Sequence, residues 1–140
     1  TSLESTIILQ SDTYDQEVFG IDATKYNTFV IDYSMSESPA GSTTKYMRSG
    51  TITVTARPDF TDAANAVVFS DNFNSHWEVT GSDPVVEPQF QALLNNGRIE
   101  FSMLRQYRDP GNPAPGDYVA HTIDSNIKLK YVFKRWSSTD

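Results

Sequence analysis

The sequence predicts an all-β fold: a single antiparallel β-sandwich or jelly-roll-like domain of about eight or nine strands, with at most one or two short helical turns. Three observations carry this. Apolar and polar residues alternate at period two over most of the chain. The intervening stretches are clusters of Pro, Gly, Asn, Asp and Ser, the residues that turn a backbone. With 140 residues and no cysteine, the chain is large enough for one packed core and has no disulfide to hold it.

In chain order, Thr6-Ile7-Ile8-Leu9 and Glu17-Val18-Phe19-Gly20-Ile21 are short extended segments. The first strong strand is Thr28–Ser36, where Phe29, Ile31, Tyr33 and Met35 share one face and Thr28, Asp32, Ser34 and Ser36 the other. Tyr46–Thr55 repeats the pattern with Ile52 and Val54, and Gly50 marks a place where a bulge or bend is tolerated. Val67-Val68-Phe69 opens a third strand, Trp77-Glu78-Val79 is a weaker one, and Arg98–Met103 supplies another. Pro88–Leu94, closed by Asn95-Asn96-Gly97, reads as a short helix, and Asp62–Asn65 as a single helical turn. The proline-rich stretch 109–117 is an exposed loop, since proline removes ladder donors. Tyr118-Val119-Ala120 is a weak strand, and in the last one Ile127, Leu129, Tyr131 and Phe133 face away from Lys128, Lys130 and Lys134.

Charge and composition exclude several function classes. A formal charge of −7 disfavours nucleic-acid binding, which needs clustered cations to displace counterions. No apolar run is long enough to span a membrane, and the first residues lack the basic and apolar stretches of an export signal. The charge is uneven: residues 1–40 hold seven acids and one lysine, whereas residues 98–140 hold seven Lys or Arg against five acids. Such asymmetry suits contacts between subunits, and equally the solvated faces of a monomer.

Catalytic patterns are missing. His76 and His121 lie in no spacing that sets two imidazoles on one metal, so neither metal nor cofactor is expected. Nucleophile elbows, phosphate-binding loops and dinucleotide fingerprints are likewise absent. Counting carboxylates leaves a glycosidase-like acid pair open. Most acids, however, sit in turn contexts (Asp12, Asp15, Asp59, Asp62, Asp83, Asp109 and Asp117), where a side-chain oxygen caps the local backbone.

Two charges fall in phase with apolar neighbours. If Tyr46, Ile52 and Val54 point inward, so does Arg48; if Val67, Phe69 and Phe73 point inward, so does Asp71. An unpaired buried charge is costly, so Arg48 and Asp71 are expected to pair in the core or at a subunit contact, unless a bulge at Ser49-Gly50 turns Arg48 outward. Aromatic residues beside loop-like segments are the other candidates for contact with a glycan or a partner: Trp77, Tyr107, Tyr118 and Trp136, together with Tyr14 and Tyr26. Trp136 follows the cationic face of the last strand, which favours a surface position near a subunit boundary.

Taken as an ordered series, Val30-Ile31-Asp32-Tyr33-Ser34, Arg48-Ser49-Gly50-Thr51-Ile52-Thr53-Val54, Asp71-Asn72-Phe73, Ile99-Glu100-Phe101-Ser102 and Ile127-Lys128-Leu129-Lys130-Tyr131 resemble a β domain recurrent in virion proteins of tailed bacteriophages. These include tail fibres, tailspikes, and head or tail appendage and decoration proteins. The resemblance covers residues 28–136, with a longer insertion between Phe73 and Arg98 and the added loop 109–117. It implies a non-enzymatic structural part of the particle, assembled in the host cytoplasm as a homo-oligomer, a trimer being favoured, against other virion proteins. For a decoration protein, residues 1–27 would be an N-terminal docking arm offering Ile7, Ile8 and Leu9 for strand addition to a neighbour. For a receptor-binding domain, Trp77, Tyr107 and Tyr118 would meet a bacterial surface glycan. A free carbohydrate-binding module, with Ca²⁺ on turn acids, is the alternative from another class.

Overall fold

A computed structural model of the chain describes residues 4–10, 15–38, 44–62, 65–79, 87–104 and 126–137. They form eight strands: β1 (Ser5–Leu9), β2 (Asp15–Asp22), β3 (Tyr26–Ser38), β4 (Thr44–Ala56), β5 (Val67–Val79), β6 (Gln89–Asn95), β7 (Arg98–Leu104) and β8 (Asn126–Ser137). Five of them make one sheet in the order β1-β8-β3-β4-β5, and three make a second in the order β2-β7-β6. Every neighbouring pair is antiparallel. The two sheets pack face to face as a β-sandwich. Among the described residues no helix is long and apolar enough to cross a membrane.

The alternation in the sequence is what fills the core. Phe29, Ile31, Tyr33 and Met35 of β3 are buried beside Ile52 and Val54 of β4 and Ile127 and Leu129 of β8. From the smaller sheet, Ile21, Phe90, Ala92, Ile99, Phe101 and Met103 close over them. Aromatic rings run through the middle: Phe19 stacks on Phe101 at 5.2 Å and meets Phe29 edge-on at 5.6 Å, and Phe101 stacks on Phe90 at 5.1 Å.

Several local expectations are corrected. Residues Gln89–Asn95 are strand β6, not a helix, because Phe90 and Ala92 are needed on the core face and Asn96-Gly97 turns the chain straight back into β7. Both turn residues have positive φ, 52° at Asn96 and 77° at Gly97, the combination a two-residue hairpin of the favoured twist requires. Trp77-Glu78-Val79 is no separate strand but the end of β5, which runs unbroken from Val67. Nor does Gly50 carry a bulge, since β4 stays in register with β3 and β5 on both sides of it. A Cβ at Gly50 would lie 2.7 Å from both the Asn72 carbonyl oxygen and Phe73 Cβ, so glycine is what lets β4 and β5 approach there. Asp15 begins β2 rather than a turn. Asp59 takes two hydrogen bonds from Arg57, at 3.0 and 2.8 Å, and Asp62 accepts from Asn65 through both backbone (3.1 Å) and side chain (2.8 Å). The weak strand expected at residues 118–120, the loop 109–117, and Asp12, Asp83, Asp109, Asp117 and His121 lie outside the described residues.

The sheets are unequal, and this shapes the surface. Cross-strand pairing puts Phe69 opposite Val54, Asp71 opposite Ile52, Phe73 opposite Gly50 and Trp77 opposite Tyr46, all on the core side of the larger sheet. The smaller sheet ends at β6 and leaves much of β5 uncovered. Phe69 and Phe73 therefore remain 40% exposed, and Trp77 48%.

Candidate functional site

Arg48 lies on β4 between Tyr46 and Gly50, and the strand's period of two sends its side chain to the core side. It is among the largest fully buried side chains of the described residues. Because guanidinium stays charged at any ordinary pH, burial has to be matched by partners. The cluster supplies them. Arg48 Nη2 donates to Asp71 Oδ2 at 2.5 Å, Nε to the Tyr33 hydroxyl at 3.0 Å, and Nη1 to the Pro88 carbonyl oxygen at 2.7 Å. Tyr33 in turn donates to Asp71 Oδ1 at 2.9 Å, so that both carboxylate oxygens are engaged. The guanidinium carbon sits 3.6 Å from the centroid of the Phe73 ring, a cation–π contact. Glu87 adds a longer ion pair at 3.9 Å.

The cluster ties β3, β4, β5 and the approach to β6 into one unit. Its side chains answer one another: the planar fork meets carboxylate and phenol. The Tyr46 hydroxyl is buried nearby with no well-aligned partner, and so is Glu87 Oε1. Burial pushes the Tyr46 phenol up to about 12, although the neighbouring Arg48 charge pulls the other way. Tyr33 is raised as well, through burial first, against the opposing pull of Arg48.

Beside the cluster a groove of about 270 Å³ opens between β5 and the start of β6, lined by Arg48, Phe69, Asp71, Phe73, Glu87 and Phe90. A second depression, of about 510 Å³, lies at the end of the same sheet, where Trp77, His76, Met47, Tyr46 and Glu37 converge. Among the described residues no group of three His, Cys, Asp or Glu side chains could hold a metal ion.

Of the candidates expected from sequence, Arg48 and Asp71 are brought together. Trp77 and Trp136 are each about half exposed, but they stand on strands β5 and β8 rather than in loops. The register places them far apart, Trp77 opposite Tyr46 on β4 and Trp136 opposite Thr28 on β3. Tyr107 and Tyr118 lie outside the described residues. Ile7, Ile8 and Leu9 belong to β1, paired with Leu129, Lys128 and Ile127 of the same chain, and Leu9 is buried in the core. Gln16 of β2 clamps that strand: its side chain donates to the Ile8 carbonyl at 3.0 Å and accepts from the Gln10 amide at 2.8 Å. Alternation alone assigns Phe69 and Phe73 to the core. What exposes them is the narrowness of the opposing sheet.

No protein-family model matches the sequence, and no curated protein aligns with it. Among solved structures the chain is similar to one described as "Crystal structure of Acinetobacter baumannii phage AM24 tailspike protein", with a TM-score of 0.41 and 10% identity. The likeness covers 99% of this chain and 27% of that one, so the chain spans about a quarter of that tailspike's length. At this distance it carries neither a fold nor a role across.

Proposed function

We propose that the chain is a non-enzymatic structural and interaction part of a bacteriophage particle, a tail-fibre or tailspike domain or a small decoration protein, working as a homo-oligomer against other virion proteins. The observation that supports this reading is the fate of the charged residues in the phage-like sequence series. Arg48 and Asp71, two of the charged members of that series, are held against Tyr33, Phe73 and Pro88 as a structural tie. What the described surface offers instead is aromatic contact area on β5. The test is to label purified virions with an antibody raised to this chain and locate the label by electron microscopy. Label on heads or tails is the expected result; virions free of the chain, with the protein left soluble in the lysate, would overturn the reading. With a trimer as the underlying unit, the mass in solution is expected to be a multiple of three chains.

A second reading is favoured by one observation, the half-exposed Trp77 beside the depression lined by His76, Met47 and Glu37. An indole beside a mainly apolar hollow edged by His76 and Glu37 suits the apolar face of a sugar ring of a bacterial surface polysaccharide. On this reading Trp77→Ala weakens glycan or cell binding while the thermal unfolding midpoint stays put.

A further inference from the structure

We infer that β5 is a pairing edge for a second copy of the same chain, joined antiparallel about a two-fold axis through Phe73. The inference stands on β5 alone and does not depend on a phage role.

An unpaired strand edge offers a row of backbone donors and acceptors to any other strand, and proteins normally blunt it with short length, a bulge, lysine, proline or a covering segment. Such devices are visible at the other edges. β1 has five residues and is clamped by Gln16; β2 is interrupted by a register shift between Glu17 and Phe19; β6 has seven residues and follows Pro88. Among the described residues β5 shows none of them. It is thirteen residues long, pairs with β4 without a register shift, contains no Lys, Arg or Pro, and among the described residues is hydrogen-bonded to a neighbour on one side only. Val68, Phe69, Phe73 and Trp77 stand exposed along it.

The sequence of β5 is complementary to itself reversed. With Phe73 on the axis, Phe73 meets Phe73 of the second copy, Phe69 meets Trp77, and Asp71 meets Ser75, all on one face. On the other face Asn72 meets Asn74, Ser70 meets His76, and Val68 meets Glu78. Aromatics oppose aromatics, amides oppose amides, and no charge opposes its like. Side-chain faces match only in registers that differ by two residues. One such slip sets Asp71 opposite Phe73, the other sets Asp71 opposite Trp77, and a further step brings Asp71 against Asp71. Charge and shape therefore select one register. Because Arg48 already holds the Asp71 carboxylate, that acid does not act as a free charge guarding the edge. The paired copies would make a ten-stranded sheet, with their exposed aromatic rows shielding each other.

The experiment uses the full chain and light scattering. Asn72 and Asn74 are exposed and take no part in the Arg48 cluster, so they can be changed without touching the core. The wild type is expected to contain an even number of chains, two, or six if a trimer is the underlying unit. The double variant N72K/N74K, which sets lysines against lysines across the axis, is expected to have half that mass, as is N72E/N74E. Mixing the two variants is expected to restore the wild-type mass, since opposite charges then face each other. A wild-type mass that the lysine variant leaves unchanged, an odd number of chains, or a mixture that fails to reassociate would each overturn the inference. Unchanged circular dichroism in both variants separates lost pairing from lost folding, while the loss of pairing itself lowers the thermal midpoint.

Discussion

At the scale of single residues, the fold turns on Arg48. Removing one partner of a buried, hydrogen-bonded ion pair leaves the other uncompensated, which typically costs about 3–5 kcal/mol. Arg48→Ala is therefore expected to lower the unfolding free energy by about that amount in a denaturant titration, and Arg48→Lys to recover little, since lysine has no planar fork to serve Asp71, Tyr33 and Pro88 together. The two buried phenols give a separate, pH-dependent signature. Tyr46 has a folded-state value of about 12 against an ordinary value near 10, so between those limits the folded chain holds a proton that the unfolded chain has lost. The stabilisation is complete below about pH 10 and disappears as pH rises through 12. The thermal midpoint is accordingly expected to fall in this alkaline window, and less steeply for Tyr46→Phe, with Tyr33 supplying part of the remaining slope. How much of this was legible in the sequence follows from phase. Arg48, Asp71 and Tyr33 all sit on core-facing positions of alternating strands, which is why the pair could be named without coordinates. The Pro88 carbonyl and the stacked Phe73 ring could not, because β5 and the approach to β6 meet Arg48 only through sheet register and packing.

At the scale of elements, period two revealed most strands because one face of each is buried and the other wet. It failed where composition pulled the other way. Gln89-Phe90-Gln91-Ala92-Leu93-Leu94 is rich in helix formers and Leu93 breaks the alternation, yet the need to place Phe90 and Ala92 on the core face overrides propensity. The better signal was Asn96-Gly97, which closes a hairpin. Gly97 sits at φ 77°, and its carbonyl accepts the Ala23 amide at 2.8 Å, joining two turns at one end of the sandwich. Gly97→Ala is expected to destabilise the domain by roughly 1–2 kcal/mol, the usual penalty for a side chain in left-handed backbone, measured as a shift of the denaturation midpoint. Its Cβ would meet nothing closer than Thr24 Cγ2 at 3.6 Å, so the loss is one of backbone strain, not of collision.

At the scale of the whole molecule, the decisive fact is that among the described residues five strands face three. Strand number was approachable from sequence, but the assignment of strands to sheets was not, since alternation tells which side of a strand is buried and not which sheet covers it. The first 27 residues illustrate the difference. β1 joins the larger sheet and β2 the smaller, with Leu9 and Ile21 both buried in the common core. Deleting residues 1–12 thus removes a core side chain along with any docking contact. It is expected to lower stability by about 2–5 kcal/mol, the range for losing a large buried aliphatic group, as judged by denaturant titration. A test of β1 as a docking strand has to use its outward residue instead. Ile8→Glu, which leaves Leu9 in place and sets a carboxylate opposite Lys128, is expected to weaken particle association with little change in stability if the segment docks.

The Arg48 cluster has one more consequence, in the time domain. Its members come from β3, β4, β5 and the segment before β6, so no contact in it is local along the chain, and it can close only after those strands have found their register. An interaction made that late is absent from the transition state and is broken on the way to it from the folded side. Lesions at Arg48 should then leave the refolding rate nearly untouched and fall almost wholly on the unfolding rate, making the buried arginine a latch on the lifetime of the native state.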